Sequence, residues 1–267
     1  MLKYYNIEST KIACWINGSD FDKKKQSLFF IHSSGSDHSA WSHQYARLHK
    51  KYNIVAIDLP GHGSSGGNGE ADVEAYCLGV KKLLDIFDLK RAVLIGHSLG
   101  AAIALRFALN YSQEIAGIVL VGGGMKMPVN PVFLKFLRTN PPEVPAEVID
   151  LICRYSLAKE NRSKFSVPLK KSLSQSSVKV LYGDLSACNN LDLTKETGKI
   201  IVPALIICGA EDKMTPPDLS RQLFAGISGA TLEIIEGAGH MVMLERPAEF
   251  NTSLEEFAAS ISAAVSG

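Results

Sequence analysis

A serine with glycines two residues away on either side stands at Gly96-His97-Ser98-Leu99-Gly100. The apolar run Val93 to Ile95 lies directly before it and the small residues Ala101, Ala102 and Ala104 directly after. A hydroxyl on so tight a turn between a buried strand and a helix is offered to a reactant, and the crowded backbone there admits only small neighbours. At the amino end of that helix, the Leu99 N–H and the helix dipole favour negative charge developing beside Ser98. A serine hydroxyl is a weak nucleophile near neutral pH and needs a base. His240 is the candidate, in a glycine-rich stretch that follows the apolar run Leu232 to Ile235. The base in turn needs a carboxylate to hold its tautomer. Asp212 follows the run Ala204 to Cys208; Glu211 competes with it, and Asp212, one step further into the loop, is the better placed. Ser98, Asp212 and His240 stand in the chain order expected when an acid follows the nucleophile and the histidine comes last.

These three residues need a scaffold that brings three distant loops to one edge. Short runs with apolar residues at consecutive positions recur at Leu28 to Ile31, Ile54 to Ile57, Val93 to Ile95, Ile115 to Val121, Ala204 to Cys208 and Leu232 to Ile235, as strands buried on both faces require. Between them lie stretches with helical spacing. Tyr76, Val80, Leu83, Leu84 and Phe87 mark one; Phe250, Leu254, Phe257, Ala258, Ile261 and Val265 mark the last, which opens with Pro247. Strand, helix, strand in repetition predicts an α/β fold: a mostly parallel sheet with helices on both sides, its strand ends sharing one edge. Ile7 and Ile12 to Trp15 predict an antiparallel hairpin at a sheet edge.

One region breaks the alternation. From about Met125 to Leu193 there are six prolines, short helical patterns such as Val148, Leu151, Ile152 and Tyr155 behind Pro145, and one strand-like run, Val178 to Tyr182. This predicts a core made of residues 1–124 and 194–267, with 125–193 inserted as a helical cap over the sheet. Its apolar residues, Phe133, Phe136 and Leu137 among them, read as packing between cap helices, with some available to line an acyl pocket. Its excess of basic over acidic residues reads as a solvated face rather than a preference for anionic substrates.

Composition narrows the function classes. A hydrophobic fraction of 46% with 21% charged residues fits a chain that buries a core, and a net charge of +1 gives no electrostatic reason to expect nucleic acid. No apolar stretch reaches the length of a membrane span, and the opening residues lack the apolar core of a secretory signal, so a cytoplasmic protein is expected. Cys14, Cys77, Cys153, Cys188 and Cys208 are scattered, with no C-x-x-C pair, and read as small buried hydrophobes rather than a disulfide framework or zinc site. Among the remaining histidines, His97 reads as a packing residue inside the turn, while His38, His43 and His49 sit in or beside a surface helix near Trp41. His32 and His62 end strands and read as shaping loops rather than performing catalysis.

Five segments in order resemble the α/β-hydrolase superfamily: Ile31 to Trp41, Asp58 to Ser65, Gly96 to Gly100, Gly209 to Pro217 and Gly237 to Pro247. The resemblance spans nearly the whole chain. It implies Ser98 as nucleophile, His240 as general base and then acid, Asp212 as orienting acid, and an oxyanion hole from the backbone N–H groups of Leu99 and Ser34. The family's usual His-Gly is His32-Ser33 here, a change that keeps a backbone donor at Ser34. Neither metal nor organic cofactor is implied, and the expected partner is a small-molecule ester, with the chain a monomer or homodimer. Carboxylesterase action on small to medium apolar esters is the leading expectation. Thioesterase or carbon–carbon bond hydrolysis with the same triad, and ligand binding as a signal receptor of the same fold, stay open.

Overall fold

A computed structural model describes residues 1–18, 21–22, 24–139 and 141–266, with 263–266 in backbone only. Five strands form the middle of the sheet: β3 (Ser27–Ile31), β4 (Asn53–Ile57), β5 (Ala92–His97), β6 (Ile115–Val121) and β7 (Ala204–Gly209). Every residue in them is buried. They run parallel because helical crossovers join them, and helices on both faces leave no solvated side for polar residues. β1 (Leu2–Ile7) and β2 (Thr10–Ile16) form the expected antiparallel hairpin at one edge, and β8 (Thr231–Ile235), parallel to β7, closes the other. The spatial order is β1-β2-β4-β3-β5-β6-β7-β8.

The pleat sorts alternate side chains to two cores. Phe29, Ile31, Val55, Ile57 and Leu94 point to one face, where α2 (Val73–Ile86), α3 (Leu99–Asn110) and α8 (Pro217–Gly226) cover them. Leu28, Phe30, Ile54, Ala56 and Val93 point to the other, against Trp41 and the helices α1 (Ser42–Leu48), α9 (Val242–Glu245) and α10 (Pro247–Ser266). Of the apolar positions predicted for α10, Phe250, Leu254, Ala258 and Ile261 are buried and Phe257 partly so; Val265 lies in the helix, its side chain outside the described set. No helix among the described residues is long and apolar enough to cross a membrane.

Between β6 and β7 the chain forms α4 (Pro131–Arg138), α5 (Ala146–Ser156), α6 (Arg162–Ser174) and α7 (Val178–Asn190). They share a separate apolar cluster built on Phe133, Leu137, Val148, Ile152 and Leu181. The strand-like run Val178 to Tyr182 is corrected here: it is the first turn of α7. Ser177 caps that helix by accepting from the Val180 N–H, and Val178, Leu181 and Leu185 form a stripe three and four residues apart that packs into this cluster. Tertiary packing of that stripe overrides the strand preference of Val178 and Val180.

Candidate active site

Ser98 sits between β5 and α3 with φ +54° and ψ −111°, a backbone conformation costly for a non-glycine residue and held here by its surroundings. Its N–H donates to the Val121 carbonyl at 2.8 Å, and its carbonyl accepts from Ala101 and Ala102. The flanking glycines are steric necessities. A Cβ on Gly96 would stand 2.0 Å from the Gly100 carbonyl oxygen, and one on Gly100 would stand 2.2 Å from that of Ile31. The chain thus packs helix against strand so closely that only hydrogen atoms fit between.

The loops after β7 and β8 bring Asp212 and His240 together at the same sheet edge. His240 Nδ1 lies 2.8 Å from Asp212 Oδ2, and both residues are buried. The other carboxylate oxygen accepts from the Met214 N–H at 2.8 Å and the Thr215 N–H at 2.9 Å. Held this way, the carboxylate keeps Nδ1 protonated and Nε2 available as a base. Glu211, the competing acid, turns elsewhere and accepts from the Lys159 N–H. The His240 backbone is anchored to the segment between β6 and β7, its N–H donating to the Ser156 carbonyl at 2.7 Å, and its own carbonyl bonds His97 Nε2 at 2.9 Å. A Cβ on Gly239 would stand 2.7 Å from both the Ser156 oxygen and the Ala158 nitrogen. Buried Glu245 completes this joint, accepting from the Gly239 and Ala158 N–H groups and from Asn161 Nδ2, each at 2.9 Å. Burial pushes its carboxyl above the ordinary glutamate value, and these donors oppose that rise.

Ser34 lies in the turn from Ser33 to Ser36, closed by the Ser36 N–H donating to the Ser33 carbonyl, with Gly35 at φ +64°. Among the described residues neither the Ser34 nor the Leu99 N–H donates to another protein group, which leaves both for a ligand oxygen. Cys188 lines the same cavity as Ser34, and its thiol is pushed up to about 12 by burial, with the nearby Asp184 carboxylate adding to the rise; a thiol so held is not a nucleophile.

The other histidines hold loops. His32 is fully buried between the Ser33 carbonyl and the Leu59 N–H, and burial together with the neighbouring His62 pushes it down to about 4, so it is neutral. His62 pairs with Asp184 of α7 at 2.8 Å, and Tyr76 of α2 donates to the other oxygen of that carboxylate at 2.6 Å. Burial works against charge on His62, but the Asp184 carboxylate outweighs it and raises the imidazole above its ordinary value. His43 and His49 are exposed on or beside α1, as expected. His38 differs: its ring and its N–H both bond buried Asp58 at 2.7 Å. Sequence reasoning missed Asp184, Glu245 and Thr215. An acid on the apolar stripe of α7 was the available signal for the first.

Ser98 and His240 border one cavity of about 550 Å³ roofed by Met127, Phe133, Ile152, Leu173 and Leu185. Lys213, exposed at its margin, is the one lysine or arginine among the described residues that line it.

A family model described as the alpha/beta hydrolase family matches residues 28–252. The chain is 32% identical to a thermophilic esterase of known structure, with a TM-score of 0.83 over 98% of this chain and 99% of that one. The enol-lactonase from Burkholderia xenovorans LB400 superposes with a TM-score of 0.87 at 22% identity, covering 96% of this chain and all of the other (100%), and shares the fold. A Paraburkholderia phymatum relative, a 2-hydroxy-6-oxononadienedioate/2-hydroxy-6-oxononatrienedioate hydrolase, is 26% identical over 96% of this chain and 94% of its own.

Proposed function

The chain belongs to the alpha/beta hydrolase family, and from that premise we propose that it is a serine hydrolase cleaving small to medium apolar carboxylic esters. The observation that carries this reading is that a serine on a strained turn and a buried His–Asp pair border one apolar cavity. Ser98 Oγ attacks the ester carbonyl while His240 Nε2 takes its proton. Asp212 orients the ring and stabilises the imidazolium, and the N–H groups of Leu99 and Ser34 receive the developing oxyanion. Collapse of the tetrahedral intermediate expels the alcohol, protonated by His240. Water deprotonated by His240 then attacks the acyl-enzyme and frees the acid. Residues 125–193 serve as a cap whose inner side shapes the acyl pocket.

The cavity's charge favours a neutral ester over a carbon–carbon bond substrate of the kind named for the Paraburkholderia relative. A dioate carries two carboxylates, and burying them needs cationic partners. Among the described residues Lys213 alone stands at the margin, and basic side chains of the helical segment, such as Lys164, Lys170 and Lys171, face solvent.

The test is hydrolysis of p-nitrophenyl esters from short to long acyl chains, with Ser98→Ala in parallel. A loss of at least about a thousandfold in kcat is expected for the variant. A folded protein that leaves the whole ester series intact overturns ester hydrolysis and turns attention to thioester and carbon–carbon substrates.

A further inference from the structure

Thr215 is buried against the imidazole, and its hydroxyl has three neighbours: Asp212 Oδ2 at 2.8 Å, the Gly122 carbonyl oxygen at 2.9 Å and His240 Nδ1 at 3.0 Å. The carbonyl and the carboxylate only accept, and a hydroxyl carries one proton, so Thr215 serves one of them at a time while its lone pairs face the Nδ1–H. Gly122 is as constrained as the hydroxyl. Its φ is +55°, and a Cβ there would stand 3.0 Å from His240 Nδ1 and 3.1 Å from Cε1, so bare backbone forms the floor under the ring. The strand end at Gly122 and the loop residue Thr215, bonded to each other, therefore both abut the same two side chains.

We infer that Thr215 is a positioning residue for the His240–Asp212 pair: its hydroxyl, shared between Gly122 and Asp212 Oδ2, fixes where the carboxylate presents its charge and so which way the imidazole faces. The inference rests on the serine-hydrolase reading for its kinetic arm. Four donors saturate the carboxylate: the Met214 and Thr215 N–H groups on one oxygen, and Nδ1–H and the Thr215 hydroxyl on the other. Without the hydroxyl, Oδ2 loses one of its two donors, and the carboxylate and the ring it orients are less firmly held. The remaining titratable groups around the pair are His97, whose ring centroid is 4.6 Å from that of His240, Glu245 near the His240 loop, Glu211 and Lys213 beside Asp212, and buried Cys208 at the end of β7, whose thiol burial raises and so keeps neutral. Burial keeps His97 well below the ordinary histidine value, so it adds no charge.

Thr215→Val removes the hydroxyl and Thr215→Ser retains it. In Thr215→Val, kcat is expected to fall about tenfold with little change in KM, the loss of one hydrogen bond to a charged group. The acid limb of the kcat/KM profile should move, because the carboxylate that orients the imidazole is no longer held in one place. The low-field NMR resonance of the His240 Nδ1 proton should shift, and Thr215→Ser should restore all three. A merely structural threonine would lower Tm in the valine variant and leave kcat, profile and resonance where they were; that result overturns the proposal. The resonance needs no substrate, so it decides the role of Thr215 even if ester hydrolysis fails.

Discussion

The turn at Ser98 and the helical segment α4–α7 face each other across one cavity and are held by different balances of contact. Around Ser98 the constraint is steric, with backbone against backbone at distances that exclude even a methyl group. The helical segment meets the core by apolar packing of Ala187, Cys188 and Leu191 and by the close approach of Gly239 to Ser156 and Ala158, and it adds polar anchors: the His62–Asp184–Tyr76 group on α7, the Ser156 carbonyl on α5, and the Ser172 and Ser176 hydroxyls donating to the Gly35 carbonyl from α6 and the turn after it. Its outer face carries apolar side chains in water, Val167 at 74% exposure among them. Under the proposed reading, steric fixing suits the nucleophile, which must not move, and polar anchoring suits a layer that admits a ligand, because hydrogen bonds can be exchanged for water.

If that contrast is right, a single methyl group at the turn should do more harm than the loss of a charged pair. Gly100→Ala, with its Cβ 2.2 Å from the Ile31 oxygen, is expected to cost more than about 4 kcal/mol or to abolish folding, read by urea unfolding and soluble yield. Near-normal stability would show that the strand end yields, and would break the contrast.

Asp184→Ala should cost about 3 kcal/mol, since it strips a buried imidazolium and a buried tyrosine hydroxyl of their partner. Here pH sharpens the comparison. The folded-state value of His62 is raised, so the pair's contribution is whole below about pH 6.5 and is lost as pH rises through the raised value. The stability gap between the unaltered protein and Asp184→Ala should therefore narrow toward alkaline pH. A gap constant from pH 5 to 9 would mean that the neutral imidazole anchors α7 equally well.

The smallest effect belongs to the outer face of α6. Val167→Lys should change stability by no more than about 0.5 kcal/mol, because nothing is packed over that side chain. A larger loss in a monomeric sample would reveal that this face is covered.

The same division explains what could be read from the amino acids. Strands such as Leu28 to Ile31 announce themselves because a strand covered on both faces leaves nowhere for a polar residue, and the turn at Ser98 because its glycines are sterically forced. Asp212 was separable from Glu211 by its place in the loop, and their hydrogen bonds differ accordingly. Val178 to Tyr182 misled because short apolar runs suit either a strand or one turn of a buried helix, and only the residues across the interface decide. His62 and Asp184 are 122 positions apart, and nothing local marks them as partners. Thr215 acts through a loop conformation that local spacing does not specify.

The backbone bond from His240 to Ser156 makes the two layers poor candidates for exchange. A helical segment transplanted from a relative would have to end its second helix with a carbonyl at the place of Ser156. It would also have to return two donors to Glu245, at the places of Ala158 and Asn161, or the histidine would lose its seat. On the proposed reading, selectivity is thus inherited together with the base, and variation in substrate choice is channelled into side chains of the roof rather than into wholesale replacement.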